Sequence, residues 1–343
     1  MSLQVRSVRL GPVSFRARPR TWLVAALAWG IALAGAIAVL FSGSVNMTPE
    51  QFWAALVGVG ERADMLLLWE FRMPRAVTGL VVGACLGTAG CLFQALSRNA
   101  LGSPEIIGLT GGAALGAVAS VIVFRSFGWG TAVGAIIGCL GAALLTWVLS
   151  PRGFGGGNRL ILIGLGVTSL IQPVTVLLLT RADSDSATSA RLWLTGTLNA
   201  RNWSHAAVGA VLFAVILPFA LLISRHLDAA APGEDLAAGL GVSRRFTQWT
   251  ATGVGVALTA AAVAVAGPIS FIALAGPHVA RRLLKGPTAP AGVAAGTGAA
   301  LLVAADLVGA NLPGGLQLPV GVTAGLLGGA YLLLLLNGQE RKK

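Results

Sequence analysis

The chain has 343 residues, of which 55% are hydrophobic and only 10% charged, whereas a soluble domain carries charge on about a quarter of its positions. So little polar surface excludes a water-soluble globule. The net charge of +12 would suit nucleic acid if the basic residues clustered, but they stand between apolar runs and at the termini. There they flank lipid headgroups and set topology, and no nucleic-acid role is expected.

Residues 1–20 read as a basic cytoplasmic segment carrying Arg6, Arg9, Arg16, Arg18 and Arg20. A helix needs about 20 apolar residues to cross a hydrocarbon core of about 30 Å. Ten runs approach that length, at 21–41, 76–96, 106–124, 129–149, 160–180, 205–224, 248–266, 268–284, 289–308 and 319–337. The first is too long for the apolar region of a signal peptide and is followed by further spans. The expectation is an all-α integral membrane protein with one ten-helix domain over 21–337 and a cytoplasmic tail at 338–343.

An even count places both termini on one side, and their arginines and lysines make that side the cytoplasm. The same threading leaves Glu50, Glu61, Asp64, Glu70, Asp183 and Asp185 outside. The predicted turn at Gly267 and Pro268, between the seventh and eighth spans, is very tight. Glycines recur every four residues at Gly79, Gly83 and Gly87, at Gly108, Gly112 and Gly116, and at Gly321, Gly325 and Gly329. Such spacing keeps them on one helix face, where helices can approach closely. Cys85, Cys91 and Cys139 fall in apolar runs outside any metal pattern and read as packing residues.

The chain has no G-x-x-x-x-G-K-[ST] loop, and its only lysines are Lys285, Lys342 and Lys343, so it does not itself hold ATP. Ion-coupled carriers keep ionisable groups inside their spans, but the carboxylates near apolar cores, Glu105 and Asp306, lie at predicted span edges. That argues against ion coupling. His205, His226 and His278 are scattered and belong to no catalytic pattern, so no enzyme activity, metal or bound cofactor is expected of this chain.

One set of motifs points further. Arg72-Met73-Pro74-Arg75 stands before the second span, in what reads as an exterior loop. Gly83 to Gly90, Gln94, the run Arg98-Asn99-Ala100-Leu101-Gly102-Ser103-Pro104 and Gly108 follow. Further on come Trp193-Leu194-Thr195-Gly196, the run Gly267-Pro268-Ile269-Ser270-Phe271-Ile272-Ala273-Leu274, Pro277, His278 and Arg281, then Ala305-Asp306 and Leu318-Pro319-Val320-Gly321. In this order they resemble the signature of FecCD-type permeases, the membrane subunits of ATP-driven bacterial importers for siderophores, haem and vitamin B12.

The resemblance implies the ten-helix fold of the vitamin-B12 and siderophore importers, in the bacterial cytoplasmic (inner) membrane. It implies a second permease subunit, two copies of an ATPase subunit that bind ATP and magnesium, and an extracytoplasmic substrate-binding protein. Arg72 and Arg75 match the arginines that dock the binding protein. The cytoplasmic loop at about 225–247 contains a segment resembling the coupling helix, with Glu234, Asp235, Ala237, Ala238, Gly239 and Gly241. Its acids suit a first helical turn and Gly241 a C-terminus. The gate maps onto Gly156, Gly157 and Asn158.

The sequence departs from the family at Ala100, where proline is common, at Gln317 in place of glutamate, and at Ala310, where a third docking arginine is often found. With the C-terminal residues, these departures look like the second permease of ferric-enterobactin importers, which works as a heterodimer. A ferric catecholate is the expected cargo, with vitamin B12 or haem as alternatives and an ion-coupled carrier as the reading of a different class.

Overall fold

Backbone N–H and C=O groups in hydrocarbon have no water to bond, so each apolar run satisfies its own by forming a helix. The computed structural model describes residues 6–10, 13–17, 19–43, 47–150, 158–231, 234–239, 241–313 and 316–340. Before the first helix, β1 (Arg6–Leu10) and β2 (Val13–Ala17) pair as an antiparallel hairpin, an element the sequence reading does not anticipate. The helices in chain order are α1 (Pro19–Phe41), α2 (Pro49–Val57), α3 (Arg62–Leu66), α4 (Met73–Ser97), α5 (Leu109–Ile122), α6 (Trp129–Leu149) and α7 (Asn158–Arg181). Then follow α8 (Ser184–Leu194), α9 (Trp203–Ala230), α10 (Glu234–Gly239), α11 (Arg244–Ala266), α12 (Ile272–Leu284), α13 (Ala291–Ala310) and α14 (Val320–Glu340).

Each of the ten expected spans coincides with a helix: α1, α4, α5, α6, α7, α9, α11, α12, α13 and α14. Among the described residues seven helices are long and apolar enough to cross a membrane alone, while α5 and the apolar part of α14 are shorter. Two boundaries differ from the sequence reading in ways that matter. The second span does not begin at Ala76: α3 runs through a π-helical turn at Leu67–Arg72 into α4, giving 36 continuous helical residues. Arg72 and Arg75 therefore stand on a helix and not in an exterior loop. At the other boundary, α12 starts only at Ile272 and has 13 residues, because Gly267 and Phe271 take positive φ of 80° and 68° and hold the preceding residues out of helix.

The connections between spans carry helices that hydropathy does not reveal. Thr48 and Gln51 form a reciprocal capping box at the start of α2, which satisfies two orphan backbone donors. Asp183 caps α8 by accepting from the Ser186 N–H at 3.2 Å. That bond and the Arg125 ion pair at 2.8 Å hold its carboxyl below the usual range.

The core is arranged around α4, which packs on α13, α11, α12 and α9. Its spanning window is 83% buried, against 22% for α7 and α9. Small residues permit this density. A Cβ on Gly83 would stand 2.6 Å from the Gly298 carbonyl of α13, and one on Gly87 would collide with the Ala294 carbonyl. The row at Gly112 and Gly116 interlocks with Gly134 and Gly138 of α6. The third row is different: Gly321 presses on the Thr195 carbonyl, but nothing lies within 4 Å of a Cβ at Gly325 or Gly329.

Candidate functional site

At one end of the bundle the two arginines turn inward. Arg72 is 5% exposed and donates from Nη1 to the Leu40 carbonyl at 2.5 Å, placing a cation at the C-terminal, negative end of α1. Arg75 donates from Nε and Nη2 to the two oxygens of Asp306, at 2.9 and 2.8 Å. This bidentate fork is the strong form of an arginine–carboxylate pair, and it ties α4 to α13. Its side chains are 18% and 4% exposed. Both members were visible in the sequence as separate motif residues, but their pairing was not, because 231 positions separate them.

The most specific motif residues meet near the middle and far end of α4. Gln94, 4% exposed, donates to the Leu274 carbonyl at 3.1 Å and accepts from Arg281. Arg281 in turn lies 3.4 Å from Nδ1 of His278, whose ring stands edge-on to Tyr331. Pro277 is buried within α12. Glu105 accepts from the Phe271 N–H at 3.2 Å. The non-helical entry to α12 thus has its backbone satisfied by a side chain from the α4–α5 connection, as irregular backbone inside a bundle requires.

Asn99 accepts from the Leu101 N–H at 2.9 Å, an Asx turn that supplies the local closure a proline at Ala100 would have favoured. The Pro104 carbonyl accepts from Leu109 N at the start of α5. Gly267 adopts its positive φ against the Trp193 carbonyl, and Pro268 packs its carbonyl on Gly196. Among the described residues no three His, Cys, Asp or Glu side chains gather as a metal site.

The expected coupling segment is helical over Glu234–Gly239. Gly241 has φ 76°, and the Val242 N–H reaches back to the Ala237 carbonyl at 2.9 Å, the six-to-one bond of a Schellman ending. α9 continues to Ala230, so the connection is shorter than the 225–247 of the sequence reading. Leu236 is 63% exposed on one side of α10, while Ala237 is 5% exposed on the other. The side chains of Glu234, Asp235 and Ala238 lie outside the described residues, as do Gly156 and Gly157 of the expected gate; Asn158 opens α7. Behind α10 a cavity of about 680 Å³ opens between the adjoining ends of α4, α9, α11 and α12, with the motif residues Gln94, Arg98, Asn99, Ala100 and Arg281 in its wall.

A dense bundle of spanning helices in which the motif residues Arg75, Asp306, Gln94, Arg281 and Glu105 are engaged with one another or with backbone, and a short helix outside it, suit a membrane transport component. The chain belongs to the FecCD transport family, whose pattern it matches over residues 31–337. It is 40% identical over 306 residues to the ferric enterobactin transport system permease protein FepG of Escherichia coli, covering 89% of this chain and 92% of that one. It is 35% identical to the Fe(3+) dicitrate transport system permease protein FecD of the same species over 79% of this chain and 85% of that one. The probable siderophore transport system permease protein YfhA of Bacillus subtilis is 34% identical over 93% of this chain and 96% of that one. A solved structure described as an inward-facing conformation of a metal-chelate type ABC transporter superposes with a TM-score of 0.80 at 25% identity, covering 92% of this chain and 99% of that one. The chain is thus an ABC-importer permease, an integral protein of the bacterial inner membrane.

Proposed function

We propose that this chain is one of two permease subunits through which an ABC importer moves a ferric siderophore, of the enterobactin-like catecholate class, into the cytoplasm. The observation that carries the reading is the 40% identity to FepG across nearly the whole of both chains. The engagement of the two carboxylates supports it against ion coupling: Asp306 is forked by Arg75 and Glu105 is bonded to backbone. ATP and magnesium belong to two separate ATPase subunits, and both termini of this chain lie in the cytoplasm.

The test is uptake of radioactive iron into proteoliposomes holding this chain, the cognate second permease, the ATPase and the binding protein. Ferric enterobactin should accumulate with ATP, and omission of the second permease should abolish uptake. Accumulation of ferric citrate instead would move the cargo to the class named for FecD.

Within that assembly α10 transmits ATPase closure, with the Leu236 face toward the ATPase, and Gly156, Gly157 and Asn158 take the place of the family's gate. Glu234→Arg combined with Gly241→Pro reverses a first-turn charge and removes the left-handed ending, since proline cannot adopt positive φ. Ligand-stimulated ATP hydrolysis should fall to the basal rate while membrane insertion is retained. Undiminished stimulation would sink the coupling role. Docking of the binding protein falls to the α4–α13 edge: Arg75 has a third nitrogen outside its fork, and Arg72 adds positive charge beneath it. With Ala310 in place of a third arginine, the partner permease supplies the rest of the docking charge.

A further inference from the structure

The cavity behind α10 is not used by any role assigned above. Its wall has an uneven composition. Among the described residues, apolar side chains such as Leu92, Leu96 and Leu227 line part of it, while Arg98, Arg244 and Arg281 bring three positive charges against one carboxylate, that of Asp228. The first turn of the 23-residue α11 forms one side, and its N-terminal end favours negative charge. Thr247 belongs to that turn. It is 3% exposed, lines the cavity, and its hydroxyl has no hydrogen-bond partner among the described residues. A buried hydroxyl without a partner is costly and points to a ligand that supplies an oxygen.

We propose that this cavity binds the phosphate headgroup of an anionic membrane phospholipid. Arg98, Arg244 and Arg281 supply the charge, Thr247 donates to a phosphate oxygen, and the apolar wall takes the first acyl carbons. Basic pockets between the ends of spanning helices suit such headgroups, and a net-positive, half-apolar cavity matches a phospholipid better than a soluble anion. The ATPase is the poorer occupant, because α10 stands between: Ala237 faces the cavity and Leu236 faces away. A lipid held there would brace α10 from behind, so that coupling would depend on lipid composition. That consequence rests on the coupling role of α10, whereas binding itself does not.

The experiment places the full chain in phosphatidylcholine nanodiscs and titrates phosphatidylglycerol, reading bound lipid by native mass spectrometry and stability by thermal unfolding. Phosphatidylglycerol should bind and raise the unfolding midpoint. Arg98→Gln should weaken its binding about fivefold, the scale of one basic residue at a membrane surface. Thr247→Val loses no bond within the protein, so it should unfold at the same temperature in pure phosphatidylcholine and yet bind phosphatidylglycerol about fivefold more weakly, the scale of one hydrogen bond. Unchanged binding in Thr247→Val would overturn the proposal. So would protection by inorganic phosphate equal to that by the lipid, which would make this a site for free anions. Displacement of the lipid by saturating ATPase subunit would also overturn it, assigning the cavity to that protein.

Discussion

Replacing Arg75 by alanine should destabilise the chain by about 3–5 kcal/mol, the penalty of leaving one member of a buried ion pair without its partner. Asp306 is 3% exposed, so water does not replace the two donors it loses. Asp306→Ala strands Arg75 in the same way, though Arg75 at 18% exposure reaches solvent more easily and its loss should be smaller. The double variant removes both charges at once and should be more stable than the sum of the two single losses predicts. Denaturant unfolding in mixed micelles measures this cycle. Additive losses would mean that the fork contributes no coupling.

The same three variants separate packing from docking. If Arg75 also meets a carboxylate of the binding protein, the double variant regains stability without regaining affinity for that protein. The deficit should be largest at low salt, because at about 1 M the Debye length falls to about 3 Å and screens the attraction. Full affinity in the double variant would assign Arg75 to the fold alone.

The second large effect is expected where two helices touch backbone to backbone. Gly87→Leu should abolish folding of the chain, since even a Cβ there meets the Ala294 carbonyl and comes within 3.0 Å of the Gly298 Cα. Backbone cannot yield as a side chain does, and overpacking a dense core costs upwards of about 1–3 kcal/mol even for single methylenes. Gly325→Ala is the matched control. It sits in an equivalent every-fourth row but has no atom within 4 Å of the added Cβ, so it should be neutral or gain up to about 1 kcal/mol from reduced backbone freedom. Yield of folded protein from size-exclusion chromatography distinguishes them. A well-folded Gly87→Leu would show that α4 and α13 can separate without loss.

Much of the architecture was legible in one dimension because the bilayer imposes a local rule: each apolar run must satisfy its own backbone, so ten runs announce ten helices. α6 begins and ends at the residues read from hydropathy, Trp129 and Leu149. The rule is silent outside the apolar runs. α2 and α8 depend on capping by Thr48 and Asp183, and the π turn that carries Arg72 joins two segments whose hydropathy differs.

The sequence by itself determined the membrane class, the list of spanning helices, the family motifs and the glycine-ended segment at α10, because each depends on neighbours within a few residues. Only the tertiary structure decided which residues those motifs address. It joined Arg75 to Asp306 and Gln94 to Arg281, and it seated Arg72 on the end of α1. It also separated the glycines that interlock from those that stand free, and it enclosed the cavity around Thr247. The physical reason is that hydrogen bonds and close packing act over a few ångströms in space, and the residues that meet there lie far apart along the chain.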